Sequence, residues 1–204
     1  FPLPARRVVE RTLARDGGRW SASDEERPAR DIGGGPPLEL ELADLLASTT
    51  ADCVILTTPS GLHPAQAIEV AQAGKHVMTE KPMATRWQDG LRMVEACDRA
   101  GVRLFVVKQN RRNATLQLLK RAVEQKRFGK IYAVSVNVFW TRPQEYYDSA
   151  KWRGTWEFDG GAFMNQASHY IDLLDWLIGP VESVMAYTGT LERDIEVEDS
   201  GGAA

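Results

Sequence analysis

Three short apolar runs separated by helical stretches constrain this chain more tightly than any other feature. Ala51-Asp52-Cys53-Val54-Ile55-Leu56-Thr57 is almost continuously apolar, as in strands buried on both faces. His76–Thr79 and Val102–Val107 are runs of the same kind. Between the first two, Pro64 suits the first turn of a helix that runs to Ala73 and stops at Gly74. Between the second and third, Thr85 is the expected N-cap of a helix to Ala100, closed by Gly101. A short helix, Glu41 to Ser48, precedes the series. Strand, helix, strand, helix, strand with short connections predicts a parallel sheet covered on both faces.

The pattern changes after Lys108-Gln109-Asn110-Arg111. Asn113 is placed to cap a helix reaching about Phe128, with Leu116, Leu119, Ala122 and Val123 on its apolar face. From Ile131 to Trp140, Val134, Val136 and Val138 alternate with Ala133, Ser135 and Asn137. That alternation predicts a strand with one buried face in an open antiparallel sheet. Thr141 to Asp159 reads as a loop, Phe163 to Ile178 as a helix stopped by Gly179-Pro180, and Val184 to Leu191 as a strand, with another beginning near Ser200. The resulting fold class is α/β: a partial Rossmann-type parallel-sheet domain over 38–110, then an incomplete α+β domain over 111–204 with an open, mostly antiparallel sheet.

Residues 1–37 fit neither part. They are rich in Arg, Pro and Gly, and no lysine occurs before Lys75. The stretch reads as atypical or disordered. Its glycines, Gly17-Gly18 and Gly33 to Gly35, fail as a phosphate loop, which must follow a buried strand and open a helix so that main-chain N–H groups face the phosphates.

A formal net charge of −3 over 204 residues argues against a nucleic-acid surface. No apolar run approaches the roughly 18 residues of a membrane span and no signal peptide is visible, so no membrane partner is expected. Cys53 and Cys97 lie in apolar contexts and read as buried free thiols, pointing to a reducing cytoplasm. His63, His76 and His169 are far apart and form no metal-ligand spacing with the cysteines, so no metal is expected.

In open parallel sheets, ligands bind outside the carboxyl ends of the strands. Those ends are Thr57-Thr58-Pro59-Ser60, Glu80-Lys81-Pro82 and Lys108-Gln109-Asn110-Arg111. Lys81 is the residue whose backbone Pro82 restrains, and an X-Pro bond in a tight turn is where a cis peptide is least costly. The plain alternative is a strand end with a solvated Glu80–Lys81 pair. Asn165 and His169, four apart on a helix, are expected on one face, with Asp172 a further turn along. A core histidine is the plain alternative there. Gly160-Gly161 would let backbone approach a ligand closely. The stretch with Arg142, Tyr146, Tyr147 and Arg153 is dense in side chains that hold anions and stack on rings.

Taken together, Glu80-Lys81-Pro82, Pro59 and His63 after the preceding strand, and the pair ending in His169 after Gly-Gly resemble the glucose–fructose oxidoreductase/inositol dehydrogenase (Gfo/Idh/MocA) family. From Ala51 to Asp199 the chain is similar to that family's UDP-N-acetyl-glucosaminuronate 3-dehydrogenases, through Lys108-Gln109-Asn110-Arg111, Trp152-Arg153-Gly154-Thr155-Trp156-Glu157 and Asn165-Gln166-Ala167-Ser168-His169. The resemblance implies NAD as cofactor and oxidation of a nucleotide-sugar hydroxyl for bacterial surface polysaccharide. It implies Lys81 as the ammonium that orients the hydroxyl and His169 as acid/base. Thr57, Pro59, His63, Glu80, Lys81 and Gln109 would line the cofactor. Arg142, Tyr146, Tyr147, Arg153 and Asn165 would meet the substrate alongside Lys81 and His169. Most relatives carry aspartate where Asn165 stands. The resemblance further implies a homo-oligomer and 2-oxoglutarate as reoxidant of the bound cofactor.

The family opens with a strand and a Gly-rich loop, neither found before Leu38, and its second domain continues past Ala204. The chain therefore reads as a fragment whose opening is lost or replaced. A non-catalytic remnant, an oligomerisation or binding module, and a dehydrogenase of inositol or another sugar are the competing readings.

Overall fold

The computed structural model describes residues 42–204 together with Arg15–Asp16 (β1) and Arg19–Trp20 (β2), which pair antiparallel. The glycines tested above as a phosphate loop lie outside the described residues. The chain divides into two compact units. The first takes the described residues to Thr58 and Leu62–Val106, and the second takes Pro59–Gly61 and Val107–Ala204.

In the first unit, α1 (Leu42–Ser48) leads into β3 (Cys53–Leu56), α2 (His63–Gln72), β4 (His76–Thr79), α3 (Trp87–Ala100) and β5 (Leu104–Val106). The strands form a parallel sheet in the order β3-β4-β5, with Leu56 opposite Thr79 and Thr79 opposite Val106. All three carboxyl ends therefore open on one edge. Val54, Leu56 and Val77 are buried against Ala67, Val70 and Ala71 of α2 and Met93 and Cys97 of α3. Each large apolar side chain so buried contributes about 1.5–3 kcal/mol. The small alanines let α2 lie close to the strands that flank it.

The helix stops match expectation. Gly101 takes the left-handed conformation at φ 66°, and the N–H groups of Gly101 and Val102 close the last turn onto Asp98 and Cys97. The start of α3 differs. The chain stays extended through Arg86, which occupies the cap position without a side-chain bond, so Thr85 falls one residue outside it.

The second unit contains α4 (Ala114–Glu124), α5 (Gln144–Asp148), α6 (Ser168–Ile178) and an antiparallel pair, β6 (Ala186–Gly189) with β7 (Ser200–Ala203). Asn113 caps α4 as predicted, its side chain accepting the Thr115 N–H at 2.9 Å. The helix ends at Glu124, short of Phe128, because Lys126 turns to φ 55°. α5 lies inside the stretch read as loop.

The expected strand from Ile131 to Trp140 is not formed. A strand is completed by the N–H and C=O groups of a neighbour, and β6 and β7 pair with each other instead. Among the described residues none supplies a ladder to this run. Its expected buried face is open, with Val134 and Val136 49% and 42% exposed.

The helix predicted from Phe163 begins two residues earlier and is not uniform. Gly161 and Ala162 are already helical, Phe163–Ala167 forms a π-helical segment, and α6 follows. α4 is fastened to α6 by Lys120 Nζ, which donates to the Trp176 carbonyl at 2.6 Å. Trp176 presents its ring to Lys120 and Arg111 at 5.6 and 5.8 Å.

Candidate functional site

The carboxyl edge of the parallel sheet carries the first set of predicted residues. Glu80 N–H donates to the Leu56 carbonyl at 3.0 Å, extending the ladder one residue past β4. Lys81 and Glu80 follow, both half-buried, and the Lys81–Pro82 peptide is cis. Thr57 is exposed beside them.

His63, at the start of α2, is buried. It is 1% exposed, with Nδ1 3.0 Å from the Pro82 carbonyl oxygen and Nε2 2.9 Å from that of Thr58. Burial pushes its pKa down, against the opposing pull of these carbonyls and of Glu80. Both ring nitrogens thus face main-chain carbonyls. The ring joins the turn after β3 to the turn after β4 from within. Thr58 Oγ1 donates to Gln66 Oε1 at 2.6 Å in the same network.

The second unit carries the helix with Asn165 and His169. Its first turn is capped from a distant part of the chain: Ala162 N–H donates to the Glu198 carbonyl and Phe163 N–H to Glu198 Oε1, each at 3.0 Å. Gly161, at φ 77°, is required there because a Cβ would fall on the Glu198 carboxylate. The close approach expected of Gly160-Gly161 is thus to Glu198. His169 is 6% exposed and meets the Trp140 ring edge-on at 6.3 Å. Asn165 instead donates its side-chain amide to Asp159. The segment that holds Asn165, Phe163–Ala167, is π-helical, and His169 follows it in α6.

One turn past His169, Asp172 accepts both Nε and a terminal nitrogen of Arg111, at 2.8 and 2.6 Å. Lys108 Nζ lies 3.5 Å from the Ser168 carbonyl. Burial lowers its pKa, Asp172 opposes that and Arg111 adds to it. Gln109 is exposed on the 3₁₀ turn between them, and with Pro59 it belongs to this unit.

Arg142, Tyr146, Tyr147 and Arg153 do come together. The guanidinium carbons of Arg142 and Arg153 stand 5.1 and 4.1 Å from the Tyr146 ring centre, and Arg153 also lies 4.7 Å from that of Trp152. The Nε atoms of both arginines are buried without a hydrogen-bond partner among the described residues. Tyr147 packs edge-on against Tyr146 and lines two clefts of about 360 and 530 Å³, the smaller shared with Arg153 and the larger with Arg142. Such stacked guanidinium groups suit an anion. Sequence reasoning missed Asp159, Glu198 and the Arg111–Asp172 fork. The Gly-Gly pair was the nearest signal to the first two, as a mark of close approach without its partner. Among the described residues no cluster of three or more His, Cys, Asp or Glu could hold a metal ion, and no helix is long and apolar enough to cross a membrane.

Residues 21–108 match the family model described as an oxidoreductase family, NAD-binding Rossmann fold, and residues 116–204 match the GFO/IDH/MocA C-terminal domain. The chain is similar to the WlbA dehydrogenase of Bordetella pertussis, solved in complex with NADH and UDP-GlcNAcA, at 77% identity and a TM-score of 0.79 over 80% of this chain and 47% of that one. The WlbA enzyme of Chromobacterium violaceum, solved with the same two ligands, matches at 78% identity and a TM-score of 0.78, with the same coverage. A scyllo-inositol 2-dehydrogenase (NADP(+)) of Bacillus subtilis is 32% identical over 78% of this chain and 44% of the relative. The chain thus spans less than half the length of these relatives. With both halves of the family matched along it, the chain belongs to the GFO/IDH/MocA family of oxidoreductases.

Proposed function

We propose that this chain serves NAD-dependent oxidation of a nucleotide sugar, at the C3 hydroxyl of UDP-N-acetyl-glucosaminuronic acid. The observation that carries the reading is its 77% identity to a dehydrogenase solved with NADH and UDP-GlcNAcA. The residues at the strand ends fit a nicotinamide dinucleotide on its reacting side. Thr57, Glu80 and Lys81 stand at the open carboxyl edge of a parallel sheet, and His63 braces two of its turns. Bound NAD would supply the hydride acceptor. The chain's own residues orient the sugar and manage the proton. The Lys81 ammonium donates to the reacting hydroxyl oxygen and holds it in place. His169 takes the hydroxyl proton on a ring nitrogen as the carbonyl forms, and returns it to solvent afterwards. The Arg142–Tyr146–Arg153 stack receives the uronate carboxylate or the diphosphate, and Asn165 hydrogen-bonds the sugar.

In this reading residues 38–110 serve the dinucleotide and 111–204 the sugar and subunit contacts, in a cytoplasmic homo-oligomer that returns its electrons to 2-oxoglutarate. The test is calorimetric titration of NAD into the full chain, followed by NADH formation with UDP-N-acetyl-glucosaminuronic acid and with myo-inositol. Binding of NAD and turnover of the nucleotide sugar alone support the reading. Turnover of inositol alone assigns another sugar, and an absence of NAD binding leaves a sugar-binding module. Lys81→Ala should reduce turnover by at least about 10²-fold with the melting curve unchanged.

A further inference from the structure

Between residues 42 and 204 four arginines are half-buried: Arg111, Arg142, Arg153 and Arg193. Arg111 pairs with Asp172 at 2.6 Å, and Arg193 with Glu192 at 3.5 Å. Arg142 and Arg153 have no carboxylate partner among the described residues. Both lie on the ring of Tyr146 instead, and the Nε of each is buried without a hydrogen-bond partner. An aromatic face offsets part of a guanidinium's charge. Two like charges drawn partly out of water onto one ring still repel each other. The stack therefore presents two positive charges to an anion that carries two negative ones.

We propose that the Arg142–Tyr146–Arg153 stack seats the diphosphate of the nucleotide sugar rather than its uronate carboxylate. This assignment rests on the nucleotide-sugar reading above and separates the two anions that reading allows. The chain itself shows what one carboxylate does with one guanidinium: Asp172 uses both oxygens on Arg111 alone, at 2.8 and 2.6 Å. A uronate would fork in the same way onto Arg142 or Arg153 and leave the other without a counter-charge. A diphosphate has two negative groups joined by one oxygen, each with free oxygens, and can meet both guanidinium groups at once. The surroundings favour approach from the Arg142 side. There the cleft of about 530 Å³ adds Arg193 and Ser200. Its two acids are already engaged, Asp199 by three main-chain N–H groups and Glu192 by Arg193. The smaller cleft, on Arg153, carries Asp148, Asp194 and Glu196, which repel an anion.

Two sugars separate the anions. UDP-N-acetylglucosamine has a hydroxymethyl group where UDP-N-acetyl-glucosaminuronic acid has its carboxylate, and both carry the diphosphate. Calorimetric titration into the full chain, with and without NAD, reads the affinity of each for wild type, Arg142→Gln and Arg153→Gln. Each substitution should weaken both ligands by the same factor, about tenfold or more, the value of one charge-assisted hydrogen bond. A loss confined to the uronate, with UDP-N-acetylglucosamine bound as in wild type, would overturn the proposal. Melting curves check that each variant folds. One that does not is replaced by Arg142→Lys or Arg153→Lys, which keeps the charge, loses the fork and should again weaken both sugars equally.

Titration of UDP, UMP and D-glucuronate into wild type tests the same assignment without a variant. UDP should bind, and UMP, with a single phosphoryl group, should bind about tenfold more weakly. Glucuronate should not compete with UDP. UMP binding as tightly as UDP, or glucuronate displacing UDP, would overturn the assignment. If UDP binds through these arginines and no sugar is oxidised, the proposed function fails and the diphosphate site stands. If UDP does not bind, the site fails whatever the turnover.

Discussion

His63 Nδ1 lies 3.0 Å from the carbonyl oxygen of Pro82, the residue that follows Lys81. Its other nitrogen lies 2.9 Å from the Thr58 carbonyl, so one buried ring spans the turns that leave β3 and β4. A neutral ring has a single N–H. It donates to one of these carbonyls and packs against the other.

Removing this brace with His63→Ala should lower stability by about 2–4 kcal/mol, from a lost hydrogen bond plus the cavity. The pH dependence has a definite sign. Burial holds the folded pKa below the ordinary 6.5, so the unfolded chain binds the proton more readily. The contribution is complete above pH 6.5 and declines as pH falls from there towards the folded pKa. Urea unfolding at a series of pH values should show this decline in wild type and its absence in His63→Ala.

Asp172 accepts a two-point fork from Arg111 on the helix that carries His169. Arg111→Lys keeps the charge and loses the fork, and should cost about 1 kcal/mol in urea unfolding, since Arg111 is partly solvent-screened. Asp172→Asn should also lower the pKa of Lys108, because Asp172 opposes the downward push of burial on that ammonium. Titration of the Lys108 side chain by NMR would read the change.

Gly161 stands at φ 77° with the Glu198 carboxylate where a Cβ would be. Gly161→Ala should destabilise the chain by about 2–4 kcal/mol, combining left-handed strain with overpacking. Glu198→Ala in the same background should relieve the overpacking part. Thermal melts of the single and double variants would show this as non-additivity.

Asp199 folds the loop between β6 and β7 around itself, accepting the N–H groups of Leu191, Glu192 and Arg193 at 2.9 Å. Burial opposes its ionisation, but these donors and Ser200 prevail and lower its pKa from 3.8 to about 2. The unfolded chain therefore takes up the proton first. Stability from this group is complete above about pH 4 and is lost as pH falls towards 2. Asp199→Asn should flatten that acid limb in circular-dichroism melts between pH 2 and 5.

The parallel core was legible in the sequence because its determinants are local. Continuous apolar runs at Cys53–Leu56 and His76–Thr79, Pro64 at a helix start and Gly101 at a helix stop each act over a few residues. They specify their elements with little help from elsewhere. Lys81 could be placed for the same reason, as the last residue before a proline at the end of a buried strand. What the tertiary structure alone decided depends on groups distant along the chain. Ile131 to Trp140 has the alternation of a strand, yet a strand exists only where another segment offers its ladder, and none of the described residues does. The helix of Asn165 and His169 begins at Gly161 because Glu198, more than thirty residues later, caps it. Asn165 meets Asp159 from a π-helical segment that no periodicity announced. Local periodicity is written in neighbouring residues, whereas the partner of a buried polar group is chosen only when the chain folds back on itself.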